Sequence, residues 1–332
     1  MKPHIIITRP IPKAGLDLLV GSGRYVVDVH SANKIPSREQ LISYVKNANA
    51  IVSLLTEHID QEIIAEAGDE LKIIANYAVG YDNIDVRAAT AKNIAITNTP
   101  DIMTQTVAEH AAALMLAAAR RISEGDRYIR AGKYKQWEPE LLLGPELFGK
   151  TLGIVGTGNI GSVMARICYH GFGMKIIYHD IEKNLELERT THAFQVSLNR
   201  LYESADVISL HIPLLPTTRH LINGSAFNKM KKNAVLINTS RGPVVEEKAL
   251  VKALKEKEIF AAGLDVFEFE PKISAALKKM PNVVMTPHTA SATHEARDGM
   301  AVMAVQNVIA ALAGKLPPNL VNKELEDKYK KA

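Results

Sequence analysis

Cysteine, long apolar runs and blocks of basic residues are all scarce in this sequence, and each shortage removes a class of protein. A single cysteine, Cys168, excludes an internal disulfide, and the expected compartment is the cytoplasm, which the opening MKPHIIITRP, without a long apolar core of a signal peptide, also suggests. The longest apolar stretch, AAALMLAAA, lies between His110 and the pair Arg120–Arg121. It is too short for a bilayer and reads as a buried helix, so no membrane partner is expected. The formal charge of +4 comes from 40 basic and 36 acidic residues, scattered except for the short tail KYKKA. That pattern carries no nucleic-acid footprint. No Cys/His cluster has metal-ligand spacing, and no metal is expected.

What is present is length and alternation. A chain of 332 residues, 47% of them hydrophobic, has enough apolar material for two cores of ordinary domain size. Short β-rich runs alternate with helical patterns: HIIIT, YVVDV, AIVSLL, LKIIANY and IAITN, then TLGIV, KIIYH, DVISLH, AVLIN, FAAGLDV and NVVMT. Such alternation predicts an α/β protein of parallel sheets with crossover helices. The series breaks near Pro100. From there TQTVAEHAAALMLAAARRISEGDRYIRAGKY reads as mostly one long helix, with a sheet on each side of it in the sequence.

The second series opens with TLGIVGTGNIGSVMARI. Gly156, Gly158 and Gly161 form G-x-G-x-x-G between an apolar strand and a helix, and Asp180 closes the next strand, KIIYHD. The glycines let backbone N–H groups and a helix N-terminus approach a pyrophosphate, and the acid can bind ribose hydroxyls. Dinucleotide binding is the reading; a flavin fits less well, because its motif usually stands near the start of a chain. Asp180 and Glu182 repel a 2′-phosphate, so NAD is expected as the cofactor, with NADH preferred over NADPH. Lys183 is the reservation, as its ammonium could accommodate the phosphate.

Ligands of open α/β sheets lie outside the carboxyl ends of the strands. Three ends stand out: AVLINTSRG with Arg241, GLDVFEFEP with Asp265, Glu268 and Glu270, and NVVMTPH with His288. An arginine fork holds a carboxylate, a histidine passes a proton near neutral pH, and an adjacent acid orients that histidine and holds it charged. Together they suit hydride exchange with a 2-oxo acid, although such residues also form structural ion pairs.

These segments, with NYAVGYDNID, NTPDIMTQTVAEH, GKTLGIVGTGNIG, MKKNAVLINTSRGPVV and TPHTASATHEAR, resemble the D-isomer-specific 2-hydroxyacid dehydrogenases, from about residue 2 to Asn322. The resemblance implies a Rossmann dinucleotide-binding domain (101–289) and a flavodoxin-like, discontinuous substrate domain (1–100 and 290–332). It implies Arg241, Glu270 and His288 as the catalytic set. Cofactor contacts are expected from Gly156, Gly158, Asn159, Ile160, Gly161, Asp180, Thr239 and Asp265. Asp265 is expected at the nicotinamide carboxamide, with capping of a neighbouring turn as its alternative. Substrate contacts are expected from Val79, Gly80, Arg241 and Trp137, the last reaching a partner's active site or else filling a local core.

Glu268 receives no task from the resemblance and reads as a solvated or supporting acid. His110, His179 and His211 read as core or loop residues, and His220 has no identifiable partner. SATHEAR and KQWEPELLLG resemble the glyoxylate and hydroxypyruvate reductase subgroup, so reduction of one of these small 2-oxo acids is the expected activity. D-3-phosphoglycerate dehydrogenase is the enzymatic alternative. It usually carries more basic residues and often a regulatory domain, for which the chain ends early. Phosphite dehydrogenase fits less well, since Val79 stands where it has a lysine. A dinucleotide-binding corepressor stays open, because such relatives keep the catalytic residues. The partner expected is a second copy: the apolar helix after Thr106 suggests a homodimer packed along it.

Overall fold

The computed structural model describes residues 1–30 and 34–330; of the tail KYKKA, Lys331 and Ala332 lie outside the described residues. The chain divides into two compact units, Met1–Met103 with Ala292–Ala332, and Thr104–Ser291.

The first unit is built on five strands: β1 (His4–Ile7), β2 (Val26–Val29), β3 (Ala50–Ser53), β4 (Ile73–Asn76) and β5 (Ala95–Thr97). They are all parallel, in the order β2-β1-β3-β4-β5, which is the flavodoxin-like order. β3, β4 and β5 are buried throughout. Strands covered on both faces read as continuous apolar runs rather than alternating ones, and that is how these appear in the sequence. A late segment returns to this unit. Helix His294–Leu312, capped by Thr293 Oγ1 on the Ala296 N–H at 3.2 Å, crosses helix Lys13–Val20 so closely that a Cβ on Gly15 would lie 2.6 Å from the Ala301 backbone. Beyond it, buried Asn322 accepts from the Ile96 N–H at 2.8 Å and donates to Thr90 and the Ile94 carbonyl, both at 2.9 Å.

The second unit holds β6 (Thr151–Val155), β7 (Lys175–His179), β8 (Phe194–Gln195), β9 (Val207–Leu210), β10 (Val235–Asn238), β11 (Ala261–Leu264) and β12 (Val283–Met285). Again all are parallel, ordered β12-β11-β10-β9-β6-β7-β8. Counted from β6, this is the Rossmann order extended by one strand, and its switch point falls between β6 and β9. The sequence contains no run for β8, which is two residues long with Phe194 exposed.

The single long helix expected after Pro100 is two, Thr104–Ala119 and Ile122–Arg130. Between them Arg121 has a left-handed backbone, φ 53°. At this break the returning chain at Gly144 lies on the last turn, where a Cβ would sit 2.0 Å from the Ala119 carbonyl oxygen. Arg121 turns back onto Glu124 through two bonds, at 2.8 and 3.0 Å. Helix Thr104–Ala119 buries Ala108, Ala111, Leu114, Met115 and Ala118 against helix Asn159–Phe172 and strands β10 to β12. Little of its apolar surface is left exposed. Among the described residues, no helix is long and apolar enough to cross a membrane.

Candidate active site

The glycine turn after β6 is shaped by close approach. Gly156 has φ 91°, and a Cβ there would lie 2.5 Å from the His211 carbonyl oxygen. At Gly161 a Cβ would meet the Gly156 carbonyl oxygen at 2.0 Å, so this glycine lets helix Asn159–Phe172 start directly against the strand. Gly158 differs: a Cβ would meet nothing within 4 Å. It would project into open space in front of the helix N-terminus, where Asn159 and Ile160 form the first turn. A helix start with open space before it fits a pyrophosphate.

Asp180 follows β7. Its Oδ2 accepts from the Thr157 N–H at 2.6 Å and the Thr157 hydroxyl at 2.9 Å, and Oδ1 accepts from the Ile181 N–H at 2.7 Å. Burial alone would raise its pKa, but these bonds and one from the Glu182 backbone outweigh burial and hold the carboxyl below its ordinary range. Lys183 pairs with Glu188 at 3.3 Å, and Glu188 also accepts from Tyr178 at 3.0 Å. After β10, Thr239 Oγ1 is buried without a hydrogen-bond partner, an orphan of the kind a bound group satisfies.

Arg241 stands on the same strand end. Asn238 forms its turn, accepting from the Ser240 N–H and hydroxyl at 3.0 and 2.8 Å and donating to the Arg241 carbonyl at 3.0 Å. Gly242 then packs on the loop after β11; a Cβ would lie 1.8 Å from the Phe267 carbonyl oxygen. Any larger residue would force the two loops apart. In the loop after β11, Glu270 Oε1 accepts from the Phe267 N–H at 2.8 Å, and Oε2 faces His288 Nδ1 at 2.9 Å. Burial would raise the Glu270 carboxyl, but the bonds from His288 and Phe267 and the charges of His288 and Arg241 hold it below the usual range. The structure thus brings Arg241, Glu270 and His288 together.

His288 has a left-handed backbone, φ 54°, a conformation that needs support from its surroundings. Its N–H donates to the Asp265 carbonyl at 2.9 Å. The Asp265 side chain, fully buried, accepts from the Thr286 hydroxyl at 2.6 Å and from the Thr289 and Ala290 N–H groups, both at 2.8 Å. These bonds cap the adjacent turn. His110 joins this network, 2.9 Å from Thr286 Oγ1 and 3.6 Å from Asp265. The sequence offered no sign of that, as His110 and Thr286 are 176 residues apart.

For Glu268 and Trp137 one of the two alternatives falls. Glu268 is the supporting rather than the solvated acid: its side chain is 6% exposed and lies 2.6 Å from His220 Nε2, the partner that His220 lacked in the sequence. Trp137 fills no local core, being 77% exposed. His211 bonds Ser209 at 2.8 Å, and burial pushes its pKa down to about 4, so the ring is uncharged near neutrality. Val79 and Gly80 belong to the other unit, where Asn98 donates to the Val79 carbonyl and Asn76 to the Gly80 carbonyl, each at 2.8 Å. Among the described residues no group of three or more His, Cys, Asp or Glu could hold a metal ion.

A Rossmann sheet whose carboxyl edge carries an acid-paired histidine beside an arginine defines the class: a nicotinamide-dependent oxidoreductase. The family model for the D-isomer specific 2-hydroxyacid dehydrogenase NAD binding domain matches residues 112–290. Glyoxylate reductases of Korarchaeum cryptofilum and Thermococcus litoralis are each 48% identical to the chain over 98% of its length, covering 97% and 98% of theirs. A solved structure from Thermus thermophilus gives a TM-score of 0.90 at 41% identity, covering 96% of this chain and 99% of that one. A glyoxylate reductase structure from Paecilomyes thermophila gives 0.87 at 32%, covering 97% and 99%. The chain belongs to the D-isomer specific 2-hydroxyacid dehydrogenases.

Proposed function

We propose that this enzyme reduces glyoxylate, and hydroxypyruvate after it, to the 2-hydroxy acid, with NADH as the preferred coenzyme. The observation that carries the reading is the 2.9 Å pair of His288 and Glu270, with Arg241 close enough to help keep Glu270 ionised. The glycine turn and the helix N-terminus at Asn159 would hold the pyrophosphate of the dinucleotide, with Thr239 as a further contact, and the nicotinamide would supply the hydride. Arg241 holds the substrate carboxylate in a two-bond fork and stabilises negative charge growing on the carbonyl oxygen. Glu270 occupies Nδ1 of His288, which fixes the ring and leaves Nε2 to deliver the proton to that oxygen. Names of relatives at 48% identity support the substrate.

For the coenzyme, the ionised Asp180 held by Thr157 is a poor neighbour for a 2′-phosphate, and Lys183 is engaged with Glu188. Some structural relatives bind NADPH, which makes the comparison worth measuring. Initial rates with glyoxylate, hydroxypyruvate and pyruvate, each with NADH and NADPH, test both parts. No turnover with any 2-oxo acid overturns the activity, and equal or better efficiency with NADPH overturns the preference.

The homodimer remains our reading on changed grounds. Helix Thr104–Ala119 has little apolar surface to offer, whereas Ile122, Ile129, Tyr134, Trp137, Leu143 and Phe148 are each more than half exposed. A second copy is the occupant that would cover them. A monomeric mass in solution scattering at working concentration would defeat it.

A further inference from the structure

Glu268 and His220 take no part in the proposed proton transfer, yet they join the two loops that carry Arg241 and Glu270. The His220 backbone N–H donates to the Pro243 carbonyl at 2.8 Å, and the ladder continues with Ile222 to Val244 at 3.1 Å and Glu246 to Ile222 at 2.9 Å. Segment 220–222 is thus pinned along the turn that follows Arg241. On the opposite side Gly242 lies on the Phe267–Glu268 backbone, with no room for a Cβ. The Glu268 side chain closes this arrangement. Oε1 faces His220 at 2.6 Å, and Oε2 accepts from the Glu247 N–H at 2.9 Å. That N–H opens helix Glu247–Lys255. Glu247 answers with its own carboxylate, which accepts from the Ser274 N–H at 3.0 Å and the Glu268 N–H at 3.4 Å.

We infer that Glu268, paired with His220, is a positioning residue that sets the distance between the Arg241 guanidinium and Glu270. It touches neither substrate nor coenzyme. Glu268 is two residues before Glu270, and its neighbour Phe267, on the same loop, donates to Glu270. Gly242 is the next residue after Arg241. A carboxylate with one oxygen on each neighbouring segment therefore fixes, from behind, the registry of both working side chains. A solvated acid at this place would do none of this, and 6% exposure leaves Glu268 little solvent.

The inference rests on the proposed roles of Arg241, Glu270 and His288, and the test separates the two. Glu268→Gln, His220→Asn and the double variant are compared with Arg241→Gln in the full-length protein. The readouts are thermal midpoint, coenzyme binding by fluorescence titration, kcat, and KM for glyoxylate. In the Glu268 and His220 variants kcat/KM falls by on the order of 10- to 100-fold, the scale of a misplacement of about 1 Å, with coenzyme binding retained. The double variant is no worse than the poorer single one, because both remove one contact. His220→Asn is the safer variant should Glu268→Gln fold poorly, since the ring is 38% exposed. Parental kcat and KM in both single variants, or a loss confined to the thermal midpoint, overturns the positioning role while Arg241→Gln still inactivates. An active Arg241→Gln enzyme instead overturns the reading beneath it.

Discussion

Each unit places a glutamate beyond a strand end, and the two are held in opposite ways. In the first unit Glu57, beyond β3, is fully buried in its side chain and surrounded by donors. Thr8 bonds it at 2.8 Å, Thr56 at 2.7 Å and the Leu54 N–H at 2.5 Å, with Arg9 at 3.3 Å. In the second, Glu270 is one-third exposed in its side chain, tied to one backbone N–H and one histidine. Both sheets are parallel, and both glutamates lie at the carboxyl edge where ligands bind. Position alone therefore does not make a site. What separates them is how much of the carboxylate is committed to the protein's own backbone and hydroxyls.

The sharpest test of this contrast is Arg241→Gln, which lowers kcat/KM by ~10²–10³-fold, the cost of removing a charge-stabilising donor. An unchanged rate would erase the distinction between the two sheets. Glu270→Gln lowers kcat by roughly 10²-fold and also carries a stability signature. The folded-state pKa of Glu270 is depressed, so its contribution is present above the unfolded value and lost as pH falls through the folded one. Parent and variant should differ in urea midpoint at neutral pH and converge in acid; a gap that widens in acid contradicts the assignment. Glu57→Gln does the reverse of Arg241→Gln. It costs about 2 kcal/mol of stability through its lost charged bonds, read from thermal unfolding, and leaves kcat/KM of the folded protein unchanged. The smallest effect belongs to Gly158→Ala, which keeps the parental melting temperature because its Cβ meets only open space. It weakens coenzyme binding by about tenfold, roughly 1.4 kcal/mol. Parental coenzyme affinity in this variant would show that the open space is not where the dinucleotide lies.

Much of this architecture was legible before any coordinates. Strands such as Ile73–Asn76 and Val235–Asn238 announce themselves because burial on both faces demands an unbroken apolar run. The Gly156–Gly161 turn is readable because only glycine survives its approaches to His211 and to Gly156 itself. What escaped was set by distant contacts. The helix break at Arg121 has no proline or glycine to mark it, and Gly144, which lies on the preceding turn, is 23 residues further along the chain. The His110–Thr286 and His220–Glu268 pairs span 176 and 48 residues, and nothing near either residue reveals its partner. For Trp137 the sequence left two readings open, since an aromatic residue is equally at home in a core, and its exposure removes the core reading.

The return of the chain to its first sheet has a consequence for how the molecule is made. During synthesis the strands β1 to β5 emerge first but lack helix His294–Leu312 and Asn322, which seals β5 against the end of the chain. The second unit, encoded between them, has every strand it needs once Ser291 has left the ribosome. Domains generally fold as units as they emerge. The order expected here is inverted: the inserted unit can complete its sheet while β5 still lacks the segment that carries Asn322.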